Sequence, residues 1–216
     1  GIASIRMDYP GCGDSKEQFR NNNLTNMIQY TEDAMKYMDN HYVVNKDSVG
    51  IFGYSMGGRI SLEMLANKKY DFKAICLLAP AVDTEDLKNL FGGAENWENL
   101  KKRAQESTDG YTDFTTVYGQ EQELSTKWFE DLETNDLATL LKEAKSSYTG
   151  PSMVIYAVDD TAVSPTVSKT VADVLQSEVI MTPEDGHSYG FYSDKAYVKR
   201  IVVENTVDFF VDKLLK

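Results

Sequence analysis

The sequence predicts an α/β fold: a doubly wound, mostly parallel sheet with helices on both faces and an inserted cap. Three observations carry that expectation. Short apolar runs alternate with stretches of helical periodicity, the pattern of a buried parallel sheet. A glycine–serine–glycine turn, Gly53-Tyr54-Ser55-Met56-Gly57-Gly58, separates one apolar run from the helix that follows it. A central stretch of about 65 residues has no buried strand and is too long to be one structureless loop.

Taken in order, residues 2–8 read as a strand, followed by a glycine-rich loop to Ser15. Leu24, Met27, Ile28, Thr31, Ala34, Met35 and Met38 recur at helical spacing, with Asn22 or Asn23 as the cap. Residues 49–53 form a strand and residues 59–67 a helix. Residues 73–79 are a buried strand that stops at Pro80. Beyond the insertion come a strand at 152–158, a helix at 166–176, a strand at 178–182 and a closing helix at 194–215. The core is therefore expected over residues 1–82 and 149–216, and a cap over 83–148. Within the cap, 124–129 and 137–144 look helical, and 112–117 suits half of a hairpin. We read the cap as lying over the carboxyl edge of the sheet; the rival is a decorative insertion far from Ser55.

Composition narrows the function. The 216 residues suit one domain with a sizeable core. Twenty-two basic against 34 acidic side chains give a formal charge of −12, which repels nucleic acid and anionic membranes. No apolar run approaches the roughly 18 residues of a membrane span. Cys12 and Cys76 lie far apart, one in a glycine-rich loop and one in an apolar strand. That pattern suits two free thiols and a reducing, cytoplasmic compartment, and it gives no zinc spacing. No metal or organic cofactor is implied. The oligomeric state is not encoded in any feature of the chain.

The chemistry begins at Ser55. A G-x-S-x-G between a strand and a helix is the sharp turn that exposes a serine hydroxyl above the carboxyl edge of a sheet. A serine hydroxyl is a poor nucleophile at neutral pH and needs a base, which in turn needs an orienting acid. Only two histidines exist. His41 ends the first helix and falls at the amino edge of the next strand, the wrong end. His187 leaves the carboxyl end of the last strand and is the expected base. The acid belongs to the loop Val158-Asp159-Asp160-Thr161-Ala162-Val163-Ser164-Pro165. Asp160 is favoured by counting back from Ala162-Val163 and the Ser-Pro turn, with Asp159 as its rival. The backbone N–H of Met56, at the helix start, is the expected oxyanion donor.

With these motifs in place, nearly the whole chain resembles the α/β-hydrolase superfamily. Residues 8–15 resemble its D-x-x-G-x-G-x-S loop, residues 53–58 its elbow, residues 158–165 its acid loop, and Gly186-His187 its G-H step. The cap passages 112–114 and 128–131 resemble bacterial cinnamoyl (feruloyl) esterases and acylglycerol-lipase-like relatives. The resemblance implies a serine esterase acting on small-molecule esters through Ser55, His187 and Asp160. Tyr54 and Trp128 become substrate-contact candidates, an aromatic acyl group being one target; the rival is that the cap aromatics only bury the cap. A peptidase or thioesterase on the same three residues, or a non-catalytic module, are the other readings. Family members begin with three more strands and an H-G loop that supplies a second oxyanion donor. The expectation is thus a fold lacking its usual first three strands, in a fragment of a longer protein.

Overall fold

Helices and strands alternate through most of the chain in the computed structural model, which describes residues 1–116 and 119–216. The order is α1 (Leu24–His41), β1 (Gly50–Tyr54), α2 (Met56–Ala66), β2 (Ala74–Leu78), α3 (Thr84–Leu90) and α4 (Ala94–Glu106). Then come β3 (Tyr111–Thr115), β4 (Glu121–Ser125), α5 (Thr126–Thr134), α6 (Leu137–Ser147) and β5 (Ser152–Ala157). The chain closes with α7 (Pro165–Leu175), β6 (Glu178–Thr182) and α8 (Ala196–Leu215). Contacts divide it into two units. One holds Gly1, Ala3–Val43 and Leu87–Asp136; the other holds Ile2, Val44–Asp86 and Leu137–Lys216.

The second unit is an α/β layer structure. Its sheet runs β1-β2-β5-β6, with every pair parallel. All residues of β2 and β5 are buried, as central strands covered on both faces must be. Strand parity assigns the helices to faces. A Cβ on Gly50 would meet the Phe210 ring, and Cys76 Sγ lies 3.8 Å from Thr206 Oγ1, so α8 covers that face. Gly53, three residues on and of opposite parity, faces Gly57 and Ser61 of α2. Burial there pushes the Cys76 thiol up to about 12, which keeps it protonated and inert.

The packing of α2 against β1 sets which elbow glycines are needed. A Cβ on Gly53 would come within 2.2 Å of the Gly57 carbonyl oxygen, and one on Gly58 within 2.7 Å of Pro80 Cα. A Cβ on Gly57 would meet nothing within 4 Å. Crowding thus imposes glycine at Gly53, while on the helical side the crowded position is Gly58 and not Gly57. Gly58→Ala should lower stability by about 1–3 kcal/mol through overpacking against backbone. Gly57→Ala should instead be neutral or stabilise by up to about 1 kcal/mol, as in other helices. Urea midpoints of the two variants test the contrast.

The first unit contains α1, whose cap is Asn23: its side chain accepts the Asn26 N–H at 2.9 Å. Asn22 instead donates to the Pro10 carbonyl at 2.7 Å. Strands β3 and β4 pair antiparallel. The strand expected at 112–117 as half of a hairpin is present as β3, paired with β4, although Val117 lies outside the described residues. The expected helix at 124–129 is corrected. Leu124 and Ser125 belong to β4, and the Ser125 hydroxyl accepts the Trp128 N–H, so α5 cannot start before Thr126. Rings of Phe91, Trp97, Trp128 and Phe129 pack at centroid distances of 5.0–5.8 Å and form this unit's aromatic core.

The expected strand at residues 2–8 is also corrected: the segment has no ladder partner among the described residues, and Ile2 and Ile5 are exposed. Apolar alternation marks a segment fit for pairing, but a strand exists only where a neighbour takes up its backbone groups. No helix among the described residues is long and apolar enough to cross a membrane.

Candidate active site

Ser55 stands between the last residue of β1 and the first of α2 with φ 54° and ψ −116°. Few non-glycine residues adopt this backbone, and holding it costs on the order of 1–3 kcal/mol. The sheet and helix enforce it. Ser55 N–H donates to the Leu78 carbonyl at 2.9 Å, and the Ser55 carbonyl accepts the N–H groups of Gly58 at 2.9 Å and Ala81 at 3.0 Å. Met56 opens α2, so its N–H belongs to the first turn, which has no intrahelical acceptor.

Asp160 follows β5 and His187 follows β6, both in loops leaving the carboxyl ends of strands in the parallel sheet that carries the elbow. His187 Nε2 lies 2.9 Å from Ser55 Oγ, and His187 Nδ1 lies 2.8 Å from Asp160 Oδ2. A carboxylate only accepts, so Nδ1 carries the proton and Nε2 presents its lone pair to the serine hydroxyl. Asp160 Oδ1 accepts the N–H groups of Ala162 and Val163, each at 2.9 Å. Asp160 Oδ2 also accepts the Tyr189 hydroxyl at 2.9 Å.

The two adjacent aspartates do different things. Asp159 turns away and its Oδ1 accepts the N–H groups of Asp185 at 3.2 Å and Gly186 at 3.1 Å. It braces the loop that carries His187. Tyr54 braces the same loop from the other side: its hydroxyl donates to the His187 carbonyl, with the two rings 5.1 Å apart. Trp128 belongs to the first unit, where it is 6% exposed within the aromatic core. His41 also lies in that unit, its Nδ1 2.8 Å from the Tyr37 carbonyl of its own helix. The residue that sequence reasoning missed is Tyr189, two positions beyond His187 and fully buried. Its one sequence signal was an aromatic inside a polar, glycine-rich loop.

Burial pushes the Asp160 carboxyl up, but the hydrogen bonds and charge of His187 and the N–H groups of Val163 and Ala162 outweigh it. The net result lies below the ordinary carboxylate range. A carboxyl held low in the folded state stabilises that state above its unfolded pKa. That contribution is lost as pH falls through the folded value. Wild type should therefore lose more stability than Asp160→Asn as pH drops from about 5 to 2, measured as denaturant midpoints at each pH.

Two surface cavities of the second unit, of about 210 and 580 Å³, sit toward the amino ends of its strands, one bordered by Glu178 and Lys213, the other by Lys73 and Tyr148. Neither includes Ser55, His187 or Asp160. Among the described residues, no three His, Cys, Asp or Glu side chains gather as metal ligands would.

Comparison with known proteins bears on the family and the fold. The model of the family described as Hydrolase_4, "Serine aminopeptidase, S33", matches residues 1–188. Est1E from Butyrivibrio proteoclasticus, solved with ferulic acid bound, superposes with a TM-score of 0.74 at 19% identity, covering 97% of this chain and 76% of that one. A monoacylglycerol lipase from Paleococcus ferrophilus superposes with a TM-score of 0.65 at 12% identity, covering 95% and 82%. The α/β hydrolase GrgF from Penicillium sp. sh18 gives 0.65 at 15% identity, covering 96% and 78%. At such identities the likeness shows the fold. No match to the chain is found among curated proteins.

Proposed function

Because this chain belongs to the serine aminopeptidase family of α/β-hydrolases, we propose that it is a serine hydrolase cleaving carboxylic esters with Ser55, His187 and Asp160. The observation that supports these roles is the unbroken relay from Ser55 Oγ through the imidazole to a buried carboxylate. In the first half-reaction Nε2 takes the Ser55 proton while Oγ bonds to the ester carbonyl carbon. The Met56 N–H stabilises the resulting oxyanion. The bond to the alcohol oxygen then breaks, and Nε2 returns the proton to that oxygen. Water repeats the sequence on the acyl-enzyme and releases the acid. Asp160 keeps the proton on Nδ1 and stabilises the transient imidazolium.

Hydroxycinnamate esters are the substrate class we favour, in view of the ferulic-acid complex of Est1E. Tyr54, beside the nucleophile, is the aromatic side chain assigned to an aromatic acyl group. The low exposure of Trp128 favours the rival in which cap aromatics serve packing alone. In this reading residues 1–82 and 149–216 are the hydrolase core and 83–148 its cap. The two free thiols, Cys12 and Cys76, suit a cytoplasmic setting.

The test has two stages. A fluorophosphonate probe should label the folded protein at Ser55, located by peptide mass spectrometry. Turnover of methyl ferulate is then compared with that of p-nitrophenyl acetate and of an aminoacyl p-nitroanilide. Absence of labelling ends the hydrolase reading. Labelling with no aromatic preference leaves a short-acyl esterase. The family description favours one alternative, a peptidase, which preferential cleavage of the anilide would establish.

A further inference from the structure

Tyr189 is the second side-chain donor on the acid, after His187, and nothing in the relay requires it. Its side chain is fully buried, yet its backbone is left-handed at φ 49°. A bulky residue rarely adopts this conformation unless its surroundings enforce it. The enforcement is visible at the phenol. The Tyr189 oxygen accepts the N–H of Ala157, the last residue of β5, at 3.0 Å. Its O–H donates to Asp160 Oδ2 at 2.9 Å, the same oxygen that accepts from His187 Nδ1. Burial and the neighbouring Asp160 charge push the phenol's pKa up, so the group stays a donor at any working pH.

Consider what Asp160 would lack without it. The two N–H groups of Ala162 and Val163 both fall on Oδ1. They fix where that oxygen sits but leave the carboxylate free to pivot about it. Oδ2 is then steered only by the imidazole, the group it is supposed to steer. The phenol is a third fixed point, tied to the end of β5 rather than to the imidazole. We infer that Tyr189 is a positioning residue of the active site: its hydroxyl locks Asp160 Oδ2 so that the carboxylate orients His187, and not the reverse. This rests on the serine-hydrolase reading of Ser55, His187 and Asp160. The Tyr189 ring lies edge-on to the His187 ring at 6.0 Å, a contact that phenylalanine keeps, so what the hydroxyl itself contributes runs through Asp160.

The experiment replaces the donor and then restores one. In Tyr189→Phe the rate constant for fluorophosphonate labelling of Ser55 and kcat for the ester should each fall about tenfold, the factor matching one ordinary hydrogen bond. KM should stay where it is. The far-downfield proton NMR signal of His187 Nδ1–H should shift or broaden, a change that a merely structural tyrosine would not cause. Tyr189→4-aminophenylalanine, which keeps an N–H donor at the same place, should recover both rates and signal. Wild-type labelling and an unmoved signal in Tyr189→Phe would overturn the inference. So would loss of activity in both variants in proportion to lost folded protein, since Tyr189 would then be structural only. The NMR signal needs no turnover. A wild type that reacts with no probe but shows the signal, and shows it moved in Tyr189→Phe, would sink the hydrolase reading while leaving the positioning role intact.

Discussion

Ser55→Ala is expected to lower kcat for ester hydrolysis about 10⁶-fold and to erase fluorophosphonate labelling, with little change in the denaturation midpoint. The size follows from the roles the residues share. In the proposed mechanism the hydroxyl is the group that bonds to carbon, and an imidazole with no hydroxyl beside it can only activate water. The small stability effect follows from the contacts. Ser55 Oγ lies against His187 Nε2 and makes no capping bond to α2, while the backbone bonds to Leu78, Gly58 and Ala81 do not involve the side chain. Alanine at φ 54° is strained about as serine is. Single-turnover kinetics with the best ester, beside urea titration of both proteins, measures the two quantities. A variant that still binds a ligand as tightly as wild type, where wild type turns nothing over, would favour a binding module instead.

The second large effect separates two neighbouring carboxylates. Asp160→Asn should lower kcat about 10⁴-fold. An amide can donate its NH₂ to Nδ1, which drives the imidazole proton to Nε2, where it faces the serine and blocks proton transfer. The amide must also sit where Oδ1 and Oδ2 now accept four donors, which no amide can do. Asp159→Asn should change kcat by no more than about threefold. Its carbonyl can still accept the Asp185 and Gly186 N–H groups, and the site is exposed. Parallel kcat measurements decide between them, and a larger loss at Asp159 would transfer the acid's role to it.

How far such an outcome could be foreseen depends on the physics behind each residue. The elbow was legible because a sharp strand-to-helix turn restricts composition locally: Gly53 and Gly58 have no room for a Cβ. His187 was legible by scarcity and by sheet direction, since parallel strands put successive carboxyl ends on one edge. Asp160 was favoured over Asp159 from its neighbours alone, and the backbone explains why. Ala162 and Val163 supply the N–H groups that hold its Oδ1.

Other features depend on partners distant in sequence. Residues 2–8 alternate as a strand should, but pairing is a property of two segments. Helix α4 leaves little trace in the sequence because Trp97, Leu100 and Ala104 form a thin apolar stripe among charges. That stripe has meaning only against the rings of Phe91, Trp128 and Phe129. Tyr189 was invisible for the same reason, since its partners are 29 and 32 residues upstream.

The way Ser55 and His187 are tethered has a consequence for how substitutions spread. Main-chain bonds to β2 and its following loop hold the serine, so they survive almost any change of neighbouring side chains. The imidazole hangs from side chains: Tyr54, Asp159 and, through the acid, Tyr189. Sequence variation can therefore loosen this arrangement at several removes from Ser55 Oγ, and it will do so at the histidine end.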